Sequence, residues 1–147
     1  MEKFTKEIQM RWSDLDPNSH LRHSIYYDWG ALCRIEFLKE FGLSVSVMQQ
    51  LHFGPILFRE ECIFRREIRD GDRVTVDLTL VKAKKDYSRW TIRHNIMKNE
   101  NVLSAVLTLD GAWIDTLTRK LTIPPPIAEN VFSQMPVDEN FQWLDQL

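Results

Sequence analysis

Residues 24–41 read Ser24-Ile25-Tyr26-Tyr27-Asp28-Trp29-Gly30-Ala31-Leu32-Cys33-Arg34-Ile35-Glu36-Phe37-Leu38-Lys39-Glu40-Phe41. Ile25, Trp29, Leu32, Cys33 and Phe37 recur at i, i+4, i+7, i+8 and i+12, which is the period of a helix. Tyr26, Ile35, Leu38 and Phe41 add apolar surface outside that stripe, so the helix should be largely enclosed. Ser24 is placed to cap its N-terminus, because a serine hydroxyl accepts from a free first-turn amide. Gly42 is placed to stop it.

Downstream, from about Pro55, the period changes to two. Asp70-Gly71-Asp72 forms a turn after a strand containing Cys62, Phe64 and Ile68. Val74, Val76, Leu78 and Leu80 then alternate with Arg73, Thr75, Asp77 and Thr79, the pattern of a strand with one buried face. Lys84–Asp86 turns the chain, and Trp90, Ile92 and Ile96 mark the next strand. Residues 98–101 connect to a last long strand begun by Leu103, Ala105, Leu107 and Leu109. Gly111 inside it points to a bulge or a close approach. Pro124-Pro125-Pro126 ends the sheet, and an amphipathic tail follows with Phe132, Phe141, Trp143 and Leu144 as anchors. Upstream, Ile8, Met10 and Trp12 alternate, so Phe4–Trp12 reads as a first strand. The order is strand, long helix, then about four consecutive strands. This is an α+β plan, an antiparallel sheet curved around one helix, in one domain with a core at about residues 4–125 and a tail at 126–147.

The densest chemistry precedes the helix: Asp14-Leu15-Asp16-Pro17-Asn18-Ser19-His20-Leu21-Arg22-His23. Two carboxylates, two imidazoles and a guanidinium feed a helix N-terminus, whose unpaired amides suit a developing oxyanion. A carboxylate beside it can attack a carbonyl carbon or activate water. The plainer alternative is that Asp14 and Asp16 only make turn bonds.

Arg11-Trp12-Ser13-Asp14-Leu15-Asp16, then His20-Leu21 and Tyr26, resembles the signature of hot-dog thioesterases of the 4-hydroxybenzoyl-CoA thioesterase type. Arg34-Ile35-Glu36-Phe37-Leu38 is similar to that family's helix. Arg69-Asp70-Gly71-Asp72 is similar to its turn before the central strand, and Asp115 with Thr118-Arg119-Lys120 lies near its last strand. The resemblance implies a hot-dog fold and acyl-CoA thioesterase activity. It implies Asp16 as nucleophile or general base, with the backbone amide at about His23 polarising the carbonyl. It also implies a homodimer or tetramer with the acyl chain along the helix between subunits. His20 and Tyr26 of the motif are then candidate substrate contacts. The chain departs from the pattern at Ser19, where the family has Gly, and at Arg22-His23, where it has Asn-Asn. Glycine tolerates φ > 0 freely, so Ser19 bears directly on the geometry of this turn.

Glu36 falls within the apolar stripe, where a carboxylate must be paired or protonated. It is a candidate second catalytic or substrate-binding group, or a partner for an arginine. Lys82, Lys84, Lys85 and Arg89 cluster at a turn and are candidate contacts for the CoA phosphates. A Ser24-His20-Asp16 triad is disfavoured, since no G-x-S-x-G elbow is present. Two further readings are a hot-dog dehydratase pairing His20 or His23 with Glu36, and a protein that binds acyl thioesters without cleaving them.

Composition sets the bounds. The chain has 147 residues, 44% hydrophobic and 27% charged, enough for one real core. A net charge of −2 gives no bulk basic field for nucleic acid. Cys33 and Cys62 form no CxxC and read as reduced thiols. His20, His23, His52 and His94 lack metal-ligand spacing, so no metal or cofactor is expected. No apolar run approaches the roughly 18 residues of a membrane span, and MEKFTKEIQM lacks a secretory apolar stretch. The protein is expected in the cytoplasm, acting on acyl-CoA or a carrier-protein-linked thioester.

Overall fold

In the computed structural model, which describes residues 3–146, the long helix α1 runs His23–Glu40. It ends in a Schellman motif: the Leu43 amide donates to the Leu38 carbonyl (2.8 Å) and the Gly42 amide to Lys39 (3.3 Å). Gly42 has φ 103°, which only glycine adopts without strain. Leu38 and Leu43 are both buried beside it. Ser24 is not the cap. Arg22 occupies that position, and no side chain caps the helix.

Ile25, Trp29, Cys33 and Phe37 form the buried seam of α1, joined by Tyr26 and Leu38. Leu32 and Ile35 are exposed. The expected enclosure is therefore one-sided, because a single sheet covers the helix and this chain supplies no second layer. Phe37 is fully buried and stacks edge-on against Phe4 at 5.1 Å. Its truncation to alanine should cost about 3–5 kcal/mol.

The sheet is built on β5 (Arg89–Lys98). β6 (Val102–Asp115) pairs along one side of it, and β2 (Phe53–Phe64) pairs outside β6. Along the other side, β3 (Val74–Asp77) and β4 (Thr79–Ala83) lie end to end. β1 (Thr5–Ile8) flanks β3, and β7 (Val137–Trp143) flanks β4 in parallel. Two short helices, α2 (Val45–Gln50) and α3 (Pro126–Phe132), complete the chain. Gly111 is a close approach: it pairs with Trp90, and a Cβ there would run into the Trp90 ring.

Several sequence expectations change. The first strand stops at Ile8, and Trp12, exposed to solvent, opens a short 3-10 turn, Trp12–Asp14, whose last residue is buried. Ile68 lies beyond β2, in the segment before the Asp70 turn. Helix α2 had too short a periodic run to be recognised. The tail contributes a seventh strand, so β6 is not the last. The Val74–Leu80 strand is broken at Leu78, although all four of its apolar residues are buried as expected.

That break has an electrostatic cause. The Asp77 carbonyl accepts from His94 Nδ1 (2.7 Å), and its carboxylate accepts from the Asn95 amide (2.6 Å) and Asn95 Nδ2 (3.2 Å). Side-chain bonds thus replace ladder bonds at this point. His94 is fully buried on the helix-facing side of β5. With Nδ1–H donating, Nε2 is the acceptor for Arg34 Nη1 of α1, 3.0 Å away. Burial first, then the Arg34 charge, pulls its pKa down to about 3 against the carbonyl's opposing pull. An unfolded histidine titrates near 6.5. Neutral His94 therefore stabilises the fold fully above that pH, and the contribution is lost as pH falls from about 6.5 toward about 3. We expect wild-type stability to decline across this window by up to about 1.4 kcal/mol per pH unit. Urea titrations at successive pH values should show that part of the slope missing in His94→Gln.

Candidate active site

The loop before α1 is held from within. Asp14 is buried, and its carboxylate accepts from the Arg11 amide (3.0 Å) and Arg11 Nη2 (2.9 Å). Burial pushes the Asp14 pKa up, but the Arg11 bonds outweigh it and hold the group below the ordinary carboxylate range. The Asp14 carbonyl accepts from the Arg22 amide at 2.9 Å, closing the loop at the helix start. Between them, Asp16 and His20 join through the Asp16 amide and His20 carbonyl (2.8 Å). Ser19 takes φ 62°, the left-handed conformation that glycine supplies at this place in the resembling pattern.

The loop is then stitched to the segment after β2. Leu21 donates to the Ile68 carbonyl at 2.8 Å, and His20 bridges Arg69. Asp16 and the start of α1 thereby face Phe64, Glu67 and Ile68 across an open cleft of about 350 Å³. Asp16 Oδ1 accepts from the Asn18 amide (2.8 Å) and the His20 amide (3.1 Å). Oδ2 accepts no bond among the described residues, which leaves one carboxylate oxygen for chemistry. The His23 and Ser24 amides also have no partner among the described residues. Uncapped, they carry the positive end of the helix dipole into the same cleft.

His20 Nε2 lies 3.3 Å from Glu67, whose carboxylate also holds Arg69 at 3.1 Å. Tyr26 forms the inner wall, edge-on to Phe64 at 5.0 Å. Its burial pushes the phenol up to about 12, so it remains protonated at neutral pH.

Asp16, His20, His23 and Tyr26 are thus brought together. Glu36 is not. It is half-buried, and residues 23 to 36 span about 20 Å along a helix. A dehydratase pair of His20 or His23 with Glu36 is therefore not assembled within one chain. The arginine-pairing carboxylate is Glu60, 3.8 Å from Arg34.

The basic residues divide as well. Lys82, Lys84 and Arg89 line one open cleft with Phe58 and Asp110, and Arg89 lies 4.6 Å from the Phe58 ring centroid. Lys85 lies apart, against Glu129 and Trp143. The Asp16 cleft lies near Lys98, which donates to the Glu67 carbonyl. Residues 89 to 98 span about 30 Å of strand, so the basic cleft is at the opposite end of the sheet.

Sequence reasoning missed Phe64, Glu67 and Ile68 as cleft walls. Their only signal was the polar run leading into the Asp70 turn. It also missed the Arg34–His94 contact, whose signal was an imidazole on the buried face of an alternating strand. Cys33 and Cys62 are free thiols. No group of three or more His, Cys, Asp or Glu among the described residues is placed to hold a metal. No helix among them is long and apolar enough to cross a membrane.

The family model described as the thioesterase-like superfamily matches residues 10–131. No curated protein matches the sequence. Among solved structures, a hypothetical protein from Staphylococcus aureus in complex with CoA is similar with TM-score 0.83 and 20% identity, over 90% of this chain and 82% of that one. A DHNA-CoA thioesterase from Staphylococcus aureus is similar with TM-score 0.81 and 18% identity, over 91% of each chain. A 1,4-dihydroxy-2-naphthoyl-CoA thioesterase from Synechocystis is similar with TM-score 0.80 and 21% identity, over 90% of this chain and 96% of that one.

Because the Ser19 backbone is already in the glycine region, Ser19→Gly should relieve strain while adding unfolded-state entropy. The two nearly cancel. Urea unfolding is expected to give a stability within about 1 kcal/mol of wild type. A loss of several kcal/mol would assign the hydroxyl a structural bond.

Proposed function

The chain belongs to the thioesterase-like superfamily and has the hot-dog fold, and from that premise we propose that it hydrolyses an acyl-CoA, with Asp16 acting at the thioester carbonyl. The observation that carries this is the shared cleft: one unpartnered Asp16 oxygen stands before the open first turn of α1. The thioester oxygen accepts from the His23 amide, which stabilises the negative charge that develops as the carbonyl becomes tetrahedral. Asp16 either attacks the carbonyl carbon, giving an anhydride that water opens, or removes a proton from the attacking water. In both courses the C–S bond breaks, its electron pair leaves on the CoA sulfur, and that sulfur takes up a proton. His20 and Tyr26 line the approach.

A second copy of the chain completes the arrangement. β2 is a twelve-residue edge strand with one side unpaired, and its Leu57, Phe58, Ile63 and Phe64 are each about half exposed. A long open edge with exposed apolar residues is a template for another strand. Antiparallel pairing of β2 with its copy exchanges the two ends of the sheet. It turns the Phe64 end, with Asp16, toward the partner half that carries Lys84 and Arg89, with Phe58 and Lys82 near the middle of the strand. The basic cleft would then hold the nucleotide phosphates of a CoA whose thioester lies at the other subunit's Asp16.

Thiol release from a panel of acyl-CoAs, aromatic and short to long aliphatic, tests the reaction. We expect turnover by wild type and a fall of at least about 100-fold in kcat for folded Asp16→Asn. Absence of release from every substrate would overturn the proposal. Neutralising Lys82, Lys84 and Arg89 together should raise KM for acyl-CoA more than for the corresponding N-acetylcysteamine thioester, which has no phosphates. Equal effects on both would remove the docking role.

A further inference from the structure

A cavity of about 220 Å³ lies beneath the C-terminal half of α1, away from the Asp16 cleft of the same chain. Leu38, Leu78, Ile92, Trp113 and Phe132 make its walls largely apolar, and Pro55 and Leu57 of β2 form one side. An apolar cavity of about 150 Å³ accepts benzene, so this one has space for a short chain or ring with a small head group.

Its polar inventory is one-sided. Two lining residues bring hydrogen-bond donors, the Arg34 guanidinium and the Trp90 indole, and the indole donor is buried without a partner among the described residues. Arg34 has a side chain only 14% exposed. It spends one donor on neutral His94 and is ion-paired with Glu60 at 3.8 Å, a contact too long to use up a hydrogen-bond donor. Trp90 is 3% exposed, and its Nε1–H has no partner among the described residues. The other indole of the lining, Trp113, is satisfied by the Tyr87 carbonyl at 2.9 Å. No carboxylate lines the cavity. A buried donor left without an acceptor destabilises the site, and a ligand that supplies the acceptor removes that cost. An unfilled indole donor beside a guanidinium matches an anionic acceptor, and a planar fork matches a carboxylate best.

We infer that this cavity receives an acyl group bearing a carboxylate remote from the thioester, so that the substrate is the CoA half-thioester of a dicarboxylic acid. The carboxylate meets Arg34 and the Trp90 Nε1–H, while the methylenes lie against the apolar wall. His94 fixes the guanidinium as a neutral acceptor and adds no charge to compete with the ligand. This inference rests on the proposed reading of the ligand as an acyl thioester. It extends that reading from the reacting carbonyl to the far end of the acyl group. The proposed antiparallel pairing through β2 would bring the Pro55–Leu57 part of one copy toward the Asp16 end of the other, which is the arrangement this ligand requires.

Calorimetric binding to folded Asp16→Asn, which suppresses turnover, tests the inference separately from hydrolysis. The probes are adipoyl-CoA and hexanoyl-CoA, equal in chain length and different only at the terminal group. We expect adipoyl-CoA to bind at least about tenfold more tightly. The preference should shrink when Trp90→Phe removes the N–H, and again when Arg34→Lys removes the fork. Trp90→Phe keeps an aromatic six-membered ring at this position and changes no charge, so the test survives a failure of the Arg34 variant to fold. Equal or tighter binding of hexanoyl-CoA, binding of neither, or a preference unchanged in Trp90→Phe overturns the inference. If wild type still cleaves hexanoyl-CoA in those cases, the thioesterase reading stands alone. If wild type cleaves neither while the adipoyl preference holds, hydrolysis falls and the carboxylate site remains.

Discussion

One buried imidazole governs how the helix meets the sheet. His94 can lie in an apolar interior only if both ring nitrogens are satisfied and the ring stays neutral. The Asp77 carbonyl takes one nitrogen and Arg34 takes the other. The first bond withdraws a carbonyl from the sheet ladder and breaks the strand that would otherwise run from Val74 to Ala83. The second fixes the rotation of α1, because Arg34 must reach inward while Ile25, Trp29, Cys33 and Phe37 fill the seam. The break separates the segment flanked by β1 from the segment flanked by β7.

The Asp16 end of the sheet depends on a different device. A loop that begins at a buried carboxylate and closes on the Arg22 amide delivers α1 without a side-chain cap. Asp14 serves the loop and Asp16 serves the cleft, so two carboxylates two residues apart have opposite assignments. Burial and the Arg11 pair consume the first. The second keeps one oxygen free because its partners are local amides that need only the other. The missing cap leaves two amides exposed where a substrate oxygen can use them.

Features encoded over short distances were legible in the sequence. The long helix, its glycine stop, the alternating strands and the Asp16–Tyr26 motif all announce themselves within a few residues. What was not legible needed contacts between distant segments. Glu36 has the right angle on the helix to look paired, yet Glu60, far along the chain, approaches Arg34. Ser24 has the chemistry of a cap, but the closing bond from Arg22 to Asp14 starts the helix one residue earlier. The four basic residues at one turn looked like one patch, but the strand pleat and the turn send Lys85 to another face. The parallel docking of β7 depends on α3 folding back over Trp90 and Trp113, which no local period announces.

The two edges of the sheet are unlike. One consists of β1, four residues long, and β7, which carries Asp138 and Glu139. Short, charged edges resist further strand addition. The other is β2, twelve residues long and open on its outer side, with exposed Leu57-Phe58 and Ile63-Phe64 on either side of a charged Arg59-Glu60-Glu61 centre. A sheet that can grow in only one direction cannot propagate. Two copies joined across β2 about a two-fold axis each consume their single adhesive edge, and the joined sheet then presents only the resistant edges to solution. The same asymmetry that invites one neighbour therefore sets a limit on size, and it directs the stickiness of an exposed strand toward a closed particle rather than a fibre.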